Sequence, residues 1–131
     1  PAGPGGGTMP YSLTYDEDLR AVVVVLTGRV DLSAIREAAR ATARMCGERS
    51  CRRILNDASG ADVHELKFLD VYASPEVLEE CGIPRTTTRA LVVPAGFADA
   101  QFLEDVTCIR GHTLRVFPFV EEARAWLRGR A

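Results

Sequence analysis

Six consecutive apolar residues, Ala21 to Leu26, limit the folds open to this chain more than any other feature of its sequence. Most of them are valines, whose β-branched side chains favour strands. The run is apolar at both odd and even positions, so both faces of the strand are expected to be covered by other elements. It is far shorter than the roughly 20 residues needed to cross a bilayer. The run therefore predicts a buried strand.

A second strand is expected to pair with it as a hairpin. Tyr11 to Tyr15 alternates apolar and polar side chains, which is typical of a half-exposed strand. Asp16 to Asp18 then provides turn residues, and the buried strand is expected over 20–27. The short connection predicts an antiparallel pair with Tyr11–Tyr15 at the edge of the sheet.

The rest of the chain alternates further strands with amphipathic helices. Strands are predicted at Arg52–Asp57, Arg89–Val93 and Thr113–Phe117. Helices are predicted at Leu32–Cys46, Glu65–Ala73, Ser74–Cys81, Ala98–Arg110 and Val120–Arg128.

Local residues predict where some of these elements begin, end and face. Asp31 is placed to cap the first helix, and Gly47 is expected to end it. A loop over Ala58–Asp62 is expected after the third strand. In the helix over 98–110, the spacing predicts four side chains directed at the core, namely Phe102, Leu103, Val106 and Ile109.

The predicted order is β-β-α-β-α-α-β-α-β-α. Strands joined through helices are parallel, so the fold class is α/β with a five-stranded mixed, mostly parallel sheet. With 131 residues the chain can bury one core, and a single domain is expected over 11–131. Residues 1–10 contain four glycines and three prolines, which we interpret as a disordered tail or a remnant of an expression vector.

The net charge and the cysteines of the chain limit the functions and the cellular location that we expect. The net charge of −2 opposes general nucleic-acid binding, which needs a basic surface. No signal-peptide pattern is seen, so the cytoplasm is the expected location. The four cysteines are irregularly spaced, which favours reduced thiols. Oxidation of Cys46 with Cys51, which flank one loop, is the alternative.

The order of elements resembles the STAS-like fold of anti-sigma-factor antagonists, which lipid-carrying CRAL-TRIO domains broadly share. More specifically, the chain resembles a bacterial group of small STAS-like proteins. The segments that carry this resemblance are Leu66–Tyr72, Ala90–Pro94, Phe102–Val106 with Arg110-Gly111, and Arg115–Phe117 with Glu121–Ala123 and Trp126-Leu127. Most of them are packing and capping positions, so they indicate a fold more than a chemistry.

The resemblance also implies a phosphorylation switch. STAS antagonists are phosphorylated on a serine in an Asp-Ser-Ser-Gly type motif at the start of the helix after the third strand. Here that helix is expected to begin near His64 to Leu66, where there is no serine. The similar Asp57-Ala-Ser-Gly60 lies earlier, directly after the strand. Ser59 is thus the implied phosphoacceptor, although it precedes the position that the family pattern requires.

Binding residues are expected where parallel strands end, because loops at their carboxyl ends gather at one edge of the sheet. Five residues are candidates for binding there: Arg29, Asp31, Asp57, Ser59 and Phe97. The glycines and prolines nearby also have a simpler explanation as turn residues.

No motif predicts a catalytic, metal or cofactor site. Ser59, His64 and Asp57 could form a hydrolase cluster, but the Gly-x-Ser-x-Gly elbow of such enzymes is missing. Cys108 and His112 have a spacing that can serve a metal, although structural zinc takes four ligands and catalytic zinc usually three. We therefore expect no catalytic residues, no metal and no cofactor.

The leading hypothesis is a non-enzymatic, STAS-like regulatory or binding domain that acts through protein contacts, including contacts within a homodimer. A carrier or sensor of a small apolar molecule is the first alternative. Phe68, Tyr72 and Phe97 could line a groove for such a ligand or a self-association face; packing in the core is the more common explanation for such residues. A hydrolase is the second alternative.

Overall fold

The computed structural model describes residues 11–62, 76–94, 97, 100–109 and 111–129. Within these residues, five strands form one sheet: β1 (Tyr11–Asp16), β2 (Ala21–Arg29), β3 (Arg53–Asp62), β4 (Thr88–Val92) and β5 (Thr113–Phe117). Their spatial order follows the chain, β1-β2-β3-β4-β5. β1 is antiparallel to β2, and the other neighbours are parallel. The predicted mixed sheet with a hairpin at its edge is confirmed.

The helices occupy both faces of the sheet. They are α1 (Leu32–Arg49), α2 (described over 76–80), α3 (Ala100–Ile109) and α4 (Val120–Arg128). The bounds of β5 and α4 are the predicted ones. The predicted helix Glu65–Ala73 and the tail 1–10 lie outside the described residues.

Alternating side chains of the strands pack into separate cores on the two faces. Under α4 lie Leu19, Ala21, Leu55, Ala90, Val92 and Phe117. Under α1 lie Val22, Val24 and Ile54, with Ile83 beside them. Both faces of β2 are therefore covered, as its uninterrupted apolar run requires.

The turn of the hairpin is attached to α4. Asp16 accepts a hydrogen bond from the backbone N–H of Leu19 at 3.0 Å and another from Nη2 of Arg124 at 2.9 Å. The N–H of Leu19 is the main cause of the lowered pKa of the Asp16 carboxyl, which burial opposes and Arg124 assists. Asp18 pairs with Arg128 at 2.8 Å. The first turn and the last helix thus stabilise each other.

Helix α1 is longer than predicted. Gly47 lies inside the helix, which continues to Arg49, and Ser50 ends it in the left-handed conformation at φ 51°. The N–H of Ser50 and the N–H of Cys51 close the last turn on the carbonyls of Gly47 and Cys46. The prediction that Gly47 ends the helix is wrong, because the serine three residues later takes the left-handed position that a glycine usually fills.

Strand β3 also extends beyond its predicted end. The segment 58–62 was expected to be a loop, but it continues the strand to Asp62. Residues Thr27 to Arg29 of β2 pair with Gly60 to Asp62, and Ala58 and Ala61 are buried. Pairing with a neighbouring strand supplies the backbone hydrogen bonds, so the glycine and serine of this segment do not break the strand.

One side chain of α3 does not face the core as predicted. Ile109 was expected to face the core, yet 85% of it is exposed. Val106 and Thr107 are the buried residues of this helix. Each residue of a helix is rotated by about 100° from the one before it. Ile109 therefore lies to one side of the buried face that Val106 and Thr107 form.

Candidate functional site

Two of the predicted binding residues lie together on an irregular part of β3. Val25 of β2 is opposite Asp57, but Thr27 is opposite Gly60, so β3 holds one extra residue in this interval. Such a bulge re-aims the side chains within it. Ser59 lies in the bulge and is exposed.

The Ser59 side chain is hydrogen-bonded to Asp57. Its hydroxyl donates to Oδ1 of Asp57 at 2.6 Å, and its backbone N–H donates to the same oxygen at 3.1 Å. Asp57 is opposite Val92 in the last β3–β4 pair, and Ser59 lies on the carboxyl side of that pair. This edge of the sheet presents a carboxylate and a solvent-accessible hydroxyl next to each other.

Arg29 and Asp31 follow at the end of β2, each with a local structural role. Arg29 is paired across the ladder with Asp62. Asp31 accepts a hydrogen bond from the N–H of Ala34 at 2.9 Å, which caps α1 as predicted. The Asp31 carboxylate is therefore engaged by its own helix, whereas the exposed hydroxyl of Ser59 is held by the half-buried Asp57.

Phe97 belongs to a different feature, a cavity of about 140 Å³ between the sheet and α1, α2 and α3. The cavity is partly open, and most of the side chains that line it are apolar. Phe97 and Pro94 are half-buried at the carboxyl end of β4, while Leu91 lies further along the same wall. The five predicted residues thus divide between a polar edge and an apolar cavity.

A charged side chain lies in the wall of this cavity. Arg89 of β4 lines it and is only 5% exposed. Its Nε and Nη2 atoms are buried and have no hydrogen-bond partner within the described chain. Burial lowers the pKa of the Arg89 guanidinium to about 10, so it is still a cation at neutral pH. An unpaired buried charge is costly, and a structure rarely keeps one without a use for it.

A second buried polar group lies near the start of β5. The side chain of His112 is inaccessible to solvent, and its Nε2 lies 2.7 Å from Oε2 of Glu79 in α2. Arg85 donates to the same carboxylate oxygen at 3.3 Å. The hydrogen bond from His112 is the main cause of the lowered pKa of Glu79, with Arg85 adding to it. This arrangement joins α2 to the strand that follows α3.

The described residues give little support to a metal site, to oxidised cysteines or to a hydrolase cluster. Among the described residues, no group of three or more His, Cys, Asp and Glu side chains is gathered to hold a metal. All four cysteines are free thiols. The Ser59 hydroxyl is bonded directly to a carboxylate, and His64, the third member of the hydrolase alternative, lies outside the described residues.

Arg89 and Glu79 were not among the predicted site residues. Arg89 begins an apolar strand, and a charge at the start of a strand usually indicates an exposed end. The one available indication was that it directly precedes an uninterrupted apolar segment, Ala90 to Val93. Glu79 and His112 are 33 residues apart, so nothing local connects them in the sequence.

Comparison with known proteins establishes the fold class. Neither a protein-family model nor a curated protein sequence matches the chain. A similar solved structure is that of the anti-sigma factor antagonist SpoIIAA in its unphosphorylated form. The similarity covers 91% of this chain and 98% of that chain, with a TM-score of 0.52 and 18% sequence identity. The chain therefore has a STAS-like α/β fold, which confirms the fold that the resemblance implied.

The helices of the described residues were also compared with the dimensions of a bilayer. None of them is both long enough and apolar enough to span a membrane.

Proposed function

We propose that this chain is a non-enzymatic, cytoplasmic regulatory domain that binds another protein through the edge of the sheet around Ser59. The observation that carries the proposal is the exposed Ser59 hydroxyl, held against Asp57 in the β3 bulge. The STAS-like fold supports it, because the similar structure is described as an anti-sigma factor antagonist and as unphosphorylated. A protein contact and a modifiable hydroxyl are therefore the properties to test.

The local chemistry of Ser59 suits a switch better than catalysis. A nucleophilic serine needs a base close by and an oxyanion donor, whereas Ser59 donates to a carboxylate on an open surface. A phosphoryl group on this hydroxyl would add about 1.5 to 2 negative charges beside Asp57. Esterification would remove the hydrogen that Ser59 donates to Asp57, and the added charge would repel the carboxylate and change the charge of the edge without altering the core.

Affinity capture with matched variants tests this function. We expect the wild-type protein, immobilised by a tag, to retain a defined partner or a second copy from a lysate of its native host, identified by mass spectrometry. Ser59→Glu is expected to lose that partner, because it places a negative charge beside Asp57. Thr86→Glu is the control, since Thr86 is also exposed but precedes β4, at the opposite end of the parallel strands.

Light scattering on the eluted species separates a homodimer from a complex with another protein. A monomer without any partner, or a partner that Ser59→Glu and wild type retain equally, would contradict the proposal.

A second candidate function, a carrier or sensor of a small apolar molecule, is favoured by the cavity beneath α1 and α3. Sites for small molecules are concave and mostly apolar, with a few polar groups that orient the ligand. Here Arg89, Asn56, Thr42 and Thr107 are the polar residues of a mostly apolar wall.

A further inference from the structure

Arg89 is a buried cation in the middle of the sheet with no acid opposite it. Its neighbours in register are Ile54 on β3 and Leu114 on β5, both of them buried aliphatic residues. Leu91 follows on the same face of β4 and also lines the cavity. The guanidinium is therefore surrounded laterally by hydrocarbon, and two of its nitrogen atoms lack a partner in the described chain.

We propose that the cavity binds a small apolar monocarboxylic acid, with its carboxylate paired to Arg89 and its hydrocarbon part between the sheet and α1. The inference gives a ligand chemistry to the second candidate function. It does not depend on the surface around Ser59.

The geometry of the arginine favours a carboxylate as the partner. A guanidinium presents its N–H groups as a planar fork, and a carboxylate can accept two of them at once. Nε and Nη2, the two buried atoms without partners, form one such pair of donors on one side of the guanidinium. A single carboxylate can thus satisfy both, which no neutral apolar ligand can do.

The walls of the cavity favour an apolar remainder. Ile35, Ala38 and Ala39 of α1 line one side, and Leu103 of α3 lines another. A ligand that left a second polar group against these side chains would lose its hydration without compensation. The rest of the molecule is therefore hydrocarbon.

The volume of the cavity and the charge of Arg89 limit the class of ligand further. A cavity of about 140 Å³ is close to the roughly 150 Å³ at which an apolar cavity takes up benzene, so a ring or a chain of about six carbons fits. Arg89 supplies one positive charge, which a carboxylate neutralises. A dianionic phosphate ester would leave a net negative charge in the apolar cavity, which is unfavourable.

Titration of the isolated protein tests the site. Benzoate and hexanoate are the probes, and benzamide and phenyl phosphate are the comparisons for head-group charge. We expect saturable amide shifts in two-dimensional NMR spectra with both carboxylates, centred on Ala38, Ala39 and Leu91. Benzamide is expected to bind about 10-fold to 100-fold more weakly, which is the usual worth of a hydrogen bond to a charged group. Phenyl phosphate is also expected to bind more weakly.

Variants test the role of the guanidinium. Arg89→Met keeps a side chain of similar length, removes an unpaired buried charge and is expected to fold, with a loss of benzoate affinity of at least about 10-fold. Arg52→Met is the control because Arg52 is exposed and does not line the cavity, and its affinity should match wild type. If Arg89→Met does not fold, the comparison of benzoate with benzamide on the wild-type protein decides.

Three results would overturn the proposal: no saturable binding of either carboxylate, equal affinity for benzoate and benzamide, or equal affinity in Arg89→Met and wild type. The titration needs no protein partner. Its failure would thus leave the proposed protein contact at Ser59 untouched, and loss of that contact would leave the cavity site standing.

Discussion

The Nε2 atom of His112 and the Oε2 atom of Glu79 lie 2.7 Å apart, which joins α2 to β5 through a short hydrogen bond. The imidazole is buried, while the side chain of Glu79 is about a third exposed at 32%. Arg85, between them in sequence, adds a second donor to the same carboxylate oxygen. This contact fixes α2 against the end of the sheet where β5 begins.

Removing the charge of Glu79 should make stability less dependent on pH. The pKa of this carboxyl lies below its ordinary value of 4.5, so the ionised form stabilises the fold above pH 4.5 and that stabilisation is lost as the pH falls through the lowered pKa. The free energy of unfolding in urea should therefore be higher for wild type than for Glu79→Gln near neutral pH. The two values should converge below the lowered pKa, and a pH-independent difference would contradict this assignment.

Replacing Asp31 tests whether its carboxylate serves the helix. Asp31→Ala removes the acceptor for the N–H of Ala34, and loss of such a cap costs about 1 kcal/mol in the free energy of unfolding. Asp31→Asn is the matched control, because asparagine caps a helix about equally well. Chemical denaturation measures both. If the asparagine variant lost as much as the alanine variant, the charge and not the cap would be what matters.

Leu127 and Ile109 should respond oppositely to the same truncation. Leu127 of α4 is fully buried against the sheet, so Leu127→Ala is expected to lower the free energy of unfolding by about 2 to 5 kcal/mol. Ile109 is 85% exposed, and Ile109→Ala is expected to change it by less than about 0.5 kcal/mol. Thermal or urea unfolding distinguishes the two, and a large loss in Ile109→Ala would place that side chain in a contact after all.

The thiols should differ in their reactivity. Burial, assisted by the neighbouring Cys51, raises the pKa of the Cys46 thiol to about 11, so little of it is ionised near pH 8 and it should react slowly with a disulfide reagent. Cys108 is exposed and should react fastest. Cys108→Ser is expected to remove the fast phase of thiol release, whereas Cys46→Ser should leave it. If instead Cys46→Ser removed the fast phase and Cys108→Ser left it, this assignment would be wrong. Cys46 would then again be a candidate for oxidation.

The spacing of apolar residues was sufficient to predict the bounds of those elements whose apolar positions are also their buried positions. Val120–Arg128 and Thr113–Phe117 have their predicted bounds, and the residues buried in each recur at the spacing of its apolar positions. The predictions failed where a distant element decides the outcome. Gly60 is a local reason to end β3, but the strand continues because Thr27 to Arg29 of β2 pair with Gly60 to Asp62.

The difference between local patterns and contacts with distant elements also explains which parts of the site could be predicted. Asp57 with Ser59 was visible as a local motif, although the loop expected over 58–62 continues β3. The bulge that presents Ser59 depends on the register between β2 and β3, which no local pattern specifies. Arg89 has a buried environment only because Ile54 and Leu114 lie beside it, and these come from segments far away in the chain.

The face of the sheet beneath α4 has a consequence for how the cell makes this protein. Arg124 follows its partner Asp16 by 108 positions, so a ribosome produces the hairpin and every strand before the helix that covers them. Until residues 120–128 have emerged, Ala90, Val92 and Phe117 present a bare apolar layer to water. Nascent chains in that condition aggregate readily and occupy chaperones. A chain that is released before α4 has been made would therefore be the form most exposed to aggregation.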